Sequence, residues 1–211
     1  MKHLQQLLLT SIGNQVKKHG FKPRLKMQVF HRYYDWGRDS LHLCFINHVD
    51  DFDVTADIAI RFDRLEELIN EENHLITKAE KKDTSTIGVE LGNLAEGEQK
   101  RWTVRQESDV AGVAKEITDY FEKVGIPYLS KYGDMRETME VLSGEERDSW
   151  MHSPLDDYRA KAAVGLAWLL NDQRRFNVLV ESKREFLANV SNQNISVESF
   201  DKFVDSIRKQ T

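Results

Sequence analysis

The segment from Phe52 to Phe62 constrains the fold most, because apolar and polar side chains alternate along it. Successive side chains of a β-strand point to opposite faces, so this pattern predicts a strand with one buried face. Two further strand-prone runs precede it, from Met27 to Trp36 and from Leu41 to Val49. Together they predict an antiparallel meander with one face covered by helices.

The second turn of this meander sets a predicted register. A two-residue turn at Asp50–Asp51 would place His48 opposite Asp53, and Cys44 opposite Asp57. The same turn collects the apolar side chains on one face. A slip of one residue would scatter them, which favours this register.

The first hairpin is predicted to turn tightly at Gly37–Arg38, which would place Phe30 opposite Phe45. Two later strand candidates are residues 86–91 and 101–106, joined by a turn-rich connection. The sheet should therefore contain about five strands.

Apolar residues at helical spacing predict helices at both ends of the chain. Residues 1–19 read as an amphipathic helix that ends at Gly20, and everything from Asp109 onward reads as helical. Less regular stretches are a charged loop or helix end over 71–82 and a polar linker over 143–153. The last three helices are predicted over 154–170, 173–189 and 197–209.

These elements predict an α+β fold with an N-terminal helix, an antiparallel meander of about five strands and a helical C-terminal half. We expect an α+β domain over residues 1–142 and a C-terminal helical subdomain over 154–211, packed on it.

Composition excludes several classes of protein. The 211 residues include one cysteine, so an internal disulfide framework or a zinc finger built on paired thiolates is excluded. The net charge is −5, which gives no bulk attraction to nucleic acid or anionic membrane. No N-terminal apolar run is long enough for a signal peptide or membrane span. We therefore expect a cytoplasmic protein with no membrane contact and no cofactor.

Charge is distributed unevenly along the chain. The first 34 residues contain seven of the 30 basic residues and none of the 35 acidic ones. Such a cluster predicts a surface for a phosphate-rich or acidic partner, with an intramolecular alternative in which the basic segment docks on the acidic remainder. No aromatic-rich motif accompanies it to indicate nucleic acid. The candidate binding residues are Lys17, Lys18, Lys22, Arg24, Lys26 and Arg32.

The polar face of the meander is the second candidate site. Imidazole, thiolate and carboxylate groups can bind a divalent metal, and a His–Asp pair can transfer protons. However, His42 and His48 are six residues apart on one strand, roughly 20 Å, and cannot share an ion. We expect an ordinary solvated face, with His48, Asp53, His42 and Asp57 as the candidate catalytic residues. The whole face comprises His31, Tyr33, His42, Cys44, His48, Asp53 and Asp57.

Three short segments carry a resemblance over residues 1–142. They are Gly20-Phe21 after a helix, Phe30-His31-Arg32 on a strand, and Phe121-Glu122-Lys123 before a helix. In element order the chain resembles an uncharacterised bacterial family of domains of unknown function. This resemblance implies a fold and no activity.

The C-terminal part resembles one tetratricopeptide-type helical hairpin. The residues that carry this resemblance are 166–172, followed by Phe176 and Leu179. Solenoids need about three repeats to bury a core, and only one is found here. The simpler interpretation is a helical hairpin packed on the main domain.

These observations favour a non-catalytic protein of immunity or regulatory type that binds another protein. The alternatives are a small metal-dependent hydrolase that uses the polar sheet face and a nucleic-acid accessory protein. The sequence lacks a phosphate-binding loop, a nucleophile elbow and a His-Glu-x-x-His helix. The oligomeric state stays open.

Overall fold

The computed structural model describes residues 1–71, 73, 75–190 and 194–210. An N-terminal helix, an antiparallel sheet and a helical C-terminal half confirm the predicted α+β fold. The strands are β1 (Lys22–Arg24), β2 (Val29–Tyr34), β3 (Gly37–Asn47), β4 (Phe52–Phe62), β5 (Ile87–Glu90) and β6 (Trp102–Val104).

The helices begin with α1 (Lys2–Val16), and one turn of π-helix over Phe121–Gly125 separates α5 from α6. Short 3-10 turns cover Lys17–His19 and Leu25–Met27. The others are α2 (Asp63–Asn70), α3 (Glu80–Asp83), α4 (Leu91–Glu96), α5 (Glu107–Tyr120), α6 (Ile126–Tyr132), α7 (Met135–Ser143), α8 (Arg147–His152), α9 (Asp156–Leu169), α10 (Gln173–Val190) and α11 (Asn194–Arg208).

The sheet has the strand order β1-β2-β3-β4-β5, and β6 pairs with β4. The central strand β4 has the bounds that the alternation predicts, and all its even-numbered side chains are buried. Two residues of the opposite face, Thr55 and Arg61, are buried as well. The polar face is therefore solvated along only part of its length.

The predicted register of the first hairpin is wrong. Tyr34 pairs with Gly37, so the turn residues are Asp35 and Trp36 rather than Gly37–Arg38. As a result Phe30 lies opposite Leu41, four residues from the predicted partner Phe45. The shift is even, so each side chain keeps the face that the sequence predicts.

Three short elements differ from the sequence prediction. The sequence does not predict strand β1, because a Lys-Pro-Arg run has no apolar alternation. The predicted turn over 92–97 is mostly helix α4, which the Glu90 carboxylate caps by accepting hydrogen bonds from the amides of Gly92 and Asn93. Helix α8 lies within the predicted linker over 143–153.

The chain divides into two units that interleave in sequence, residues 1–60 with 88–131 and residues 61–87 with 132–211. In the first unit, α1 packs against α5, and its Gly13 lies against Phe30 of β2. A Cβ atom at Gly13 would lie 3.1 Å from the Phe30 ring, so glycine permits this close approach. The core of this unit thus lies between the helices and the apolar sheet face.

In the second unit, α9 is the central helix and packs against α2, α7, α10 and α11. Its small side chains permit this crowding; a Cβ atom at Gly165 would lie 2.5 Å from Leu65. Residues 72 and 74 of the charged stretch 71–82 lie outside the described residues. The division into domains 1–142 and 154–211 stays a prediction, because contact-defined units do not show which parts fold independently.

Candidate functional site

The predicted basic surface lies at an edge of the sheet. Strand β1 is the first strand in the sheet order, and its residues Lys22, Pro23 and Arg24 are all exposed. The ladder pairs Lys22 with His31 and Arg24 with Val29. Both basic side chains therefore come from the outermost strand.

Pro23 disfavours the pairing of a further strand with the outer edge of β1. Pro23 lies opposite Phe30, and proline cannot donate a backbone hydrogen bond, so the ladder bonds to β2 must come from its two neighbours in β1. The outward-facing position of β1 then lacks an amide donor. A partner that binds here has to use the side chains rather than extend the sheet.

Two of the six candidate residues are engaged inside the protein. Lys18 Nζ lies 2.7 Å from Glu122 Oε1. Arg32 binds the buried Asp39 carboxylate through Nε (3.0 Å) and Nη2 (2.7 Å), and it also donates to the His19 carbonyl (3.3 Å). Arg32 is thus bound to a buried carboxylate, whereas Lys18 is 63% exposed and its surface ion pair contributes little to stability.

The other four candidates remain available. Lys17, Lys22, Arg24 and Lys26 are exposed and form no ion pair with any residue in the described part of the chain. We call these four residues the basic edge. Because exposed charges keep their hydration until a partner arrives, unpaired cations are suited to steering an acidic partner.

Sequence reasoning missed the apolar groups that accompany the basic edge. Met27, next to Lys26, is 39% exposed, and Tyr33 on β2 is 56% exposed. The Tyr33 ring contacts His31, whose ladder partner is Lys22. Tyrosine is enriched at protein interfaces, and its place on the polar face was already visible in the alternation of β2.

The polar face of the sheet contains one organised cluster. His48 Nε2 lies 3.2 Å from Asp53 Oδ2, and Thr103 donates to Asp53 Oδ1 at 2.7 Å. The predicted turn at Asp50–Asp51 is wrong, because the His48 amide donates to the Asp51 carbonyl at 2.9 Å and Val49 and Asp50 are therefore the turn residues. The hydrogen bond from Thr103 and, less strongly, the contact with His48 lower the pKa of Asp53. An anionic carboxylate therefore orients an imidazole that is about half exposed.

The remaining residues of this face do not converge on that cluster. His42, and not the predicted Cys44, accompanies Asp57, with 3.8 Å between Nδ1 and Oδ2. His31 is buried and bonds Ser40 Oγ at 2.9 Å. Within the described residues, no three His, Cys, Asp or Glu side chains are grouped so that they could hold a metal ion.

We expect the substitution Thr103→Val to raise the pKa of Asp53 towards its ordinary value, because the principal hydrogen bond to the carboxylate is lost. His48→Gln should raise it by less. Carboxyl chemical shifts followed by NMR during an acid titration measure both changes. An unchanged pKa in Thr103→Val would contradict this account of the cluster.

Comparisons with protein-family models, with curated proteins and with solved structures find no match to this chain. Among the described residues, no helix is both long enough and apolar enough to cross a membrane. The residues of the chain itself therefore have to support any functional proposal.

Proposed function

We propose that the chain is a cytoplasmic, non-catalytic protein that binds an acidic protein partner through the basic edge. The single observation that supports this proposal most is a set of four exposed cations, two of them on the proline-containing edge strand β1, that form no ion pair with the described residues. An immunity-type or regulatory protein has to recognise its partner rapidly and specifically, and charge complementarity between the two surfaces supplies both association rate and specificity.

The surroundings of the basic edge support a protein partner over a nucleic acid. The cations come with an exposed tyrosine and methionine, Tyr33 and Met27, which can supply buried contact area at the centre of an interface. The rest of the chain is strongly acidic, which opposes general binding to polyanions.

The experiment is capture of partners from nuclease-treated lysate of the native host, with charge reversal of the basic edge. We expect one stoichiometric acidic protein to bind the wild-type chain. The quadruple variant Lys17→Glu, Lys22→Glu, Arg24→Glu, Lys26→Glu should reduce its capture by about tenfold or more, because like charges then face each other. Quantitative mass spectrometry measures the ratio.

A matched variant controls for net charge. Lys2, Lys123, Arg174 and Lys209 are also exposed, and reversing all four changes the net charge by the same amount. This control should retain the partner. Equal capture by both variants, or loss of the partner on nuclease treatment, would contradict the proposal.

A further inference from the structure

A second charged feature lies in the unit formed by residues 61–87 and 132–211. It is a cavity of about 640 Å³, within the range of about 300–1,000 Å³ that small-molecule sites occupy. Three acidic side chains line it, Glu66, Glu67 and Glu71. Five basic side chains line it as well: Arg61, Arg64, Lys78, Lys81 and Lys82.

Arg61 is the fixed group of this cavity. Its side chain is 5% exposed, and Nε donates to Asp63 Oδ1 at 2.7 Å. Nη1 donates to the carbonyl and the hydroxyl oxygen of Thr84, at 2.8 and 2.6 Å. No acceptor for Nη2 is found among the described residues. A guanidinium held on one side in this way can present its remaining N–H groups to an anion.

Two of the three acidic side chains of the lining, Glu66 and Glu67, are engaged within the protein, and Glu66 Oε2 lies 3.8 Å from Arg61 Nη1. Glu66 is fully buried and accepts hydrogen bonds from Tyr158, Thr86 and Asn70. Glu67 lies 3.6 Å from Arg64, which also donates to Gln210. Lys78 is exposed and has no ion pair in the described part of the chain. The lining therefore has an excess of basic groups, and several of them are on flexible, exposed side chains.

We propose that this cavity binds a small molecule that carries phosphate groups. The Nη2 group of a fixed arginine can donate directionally to phosphate oxygens, and surrounding lysines add charge without fixed geometry. The cavity opens to solvent, and its volume of about 640 Å³ fits a small molecule. This inference is independent of the basic edge, which lies in the other unit.

Calorimetric titration of the full chain with pyrophosphate tests the proposal, with citrate as an anion of similar size that lacks phosphorus. We expect one pyrophosphate to bind per chain, more tightly than citrate. The double variant Arg64→Gln, Lys78→Gln alters only exposed side chains and should weaken pyrophosphate binding by about tenfold, as expected when charge-assisted contacts are lost.

The charge-matched control is Lys22→Gln, Lys26→Gln in the basic edge, which should bind pyrophosphate like the wild type. Absence of pyrophosphate binding, equal binding of citrate, or equal weakening by both double variants would overturn the proposal. Tighter binding of a short RNA that is lost in Arg64→Gln, Lys78→Gln would also overturn it, since the ligand would then be a polymer.

Discussion

Replacing Glu66 with alanine is expected to lower the free energy of unfolding by about 3–5 kcal/mol, the range for breaking a buried charged pair. The carboxylate is 0% exposed. It accepts hydrogen bonds from the hydroxyls of Tyr158 and Thr86 and from the Asn70 amide, and it lies 3.8 Å from Arg61. The substitution leaves these donors in the interior without their acceptor, which costs more than the contacts themselves contribute.

The neighbouring residue provides the control for this prediction. Glu67 is on the same helix, with a side chain that is 63% exposed, and Glu67→Ala should change stability by no more than about 0.5 kcal/mol. Chemical denaturation measures both variants, and hydrogen exchange of α2 and α9 locates the loss. Similar stability of the two variants would show that the buried network does not hold the second unit together.

Replacing Asp39 with alanine is expected to cost about 2–4 kcal/mol, because charge-assisted hydrogen bonds and their buried acceptor are lost together. Asp39 is 1% exposed and accepts from Arg32 twice and from the Tyr34 hydroxyl at 3.0 Å. Arg32 also lies over the Phe21 ring, 5.0 Å from its centroid, so Asp39 helps to connect the first hairpin with the segment after α1.

Asp35, exposed in the turn of the same hairpin, is the matched control, and Asp35→Ala should be close to neutral. Thermal and chemical unfolding measure the difference. If Asp39→Ala were as stable as Asp35→Ala, the Arg32–Asp39 pair would be an incidental contact and Arg32 could return to the predicted binding surface.

The effect of Asp39→Ala should depend on pH. Burial raises the pKa of Asp39 above its ordinary value of 3.8, although Arg32 opposes the shift. Between pH 3.8 and the raised pKa, the folded state therefore holds a proton that the unfolded state has released. The contribution of Asp39 to stability falls as pH rises through this range. The cost of the substitution should be larger on the acid side of this range.

The sequence predicts the parts of the fold that have a regular period. The sequence predicts strand β4 with the observed bounds, because its even-numbered residues are all apolar and its odd-numbered residues are all polar except Ala59. The faces of β2 and β3 were also correct, whereas their register was not, because both possible turns keep the same faces in alignment. Strand β1 and helix α4 are too short for a period to show, and α4 depends on a capping carboxylate from the preceding strand.

The candidate sites were harder to predict than the strands, because their contacts join residues that are far apart in the sequence. Counting charges identified the basic N-terminal segment, but it could not separate Arg32, which binds a buried aspartate, from Lys22 and Arg24, for which the described residues supply no ion pair. The network around Glu66 joins residues up to 92 positions apart in sequence. Such contacts leave no local pattern, since each member alone looks like an ordinary polar residue.

The most direct test of the central claim is the affinity of the captured partner for the purified wild-type chain and for the variant with the basic edge reversed, at low and high salt. We predict an affinity that falls as salt increases for the wild type, and a weaker, less salt-sensitive affinity for the variant. Equal affinities for the two proteins at both salt concentrations would contradict the proposal that the basic edge binds an acidic protein.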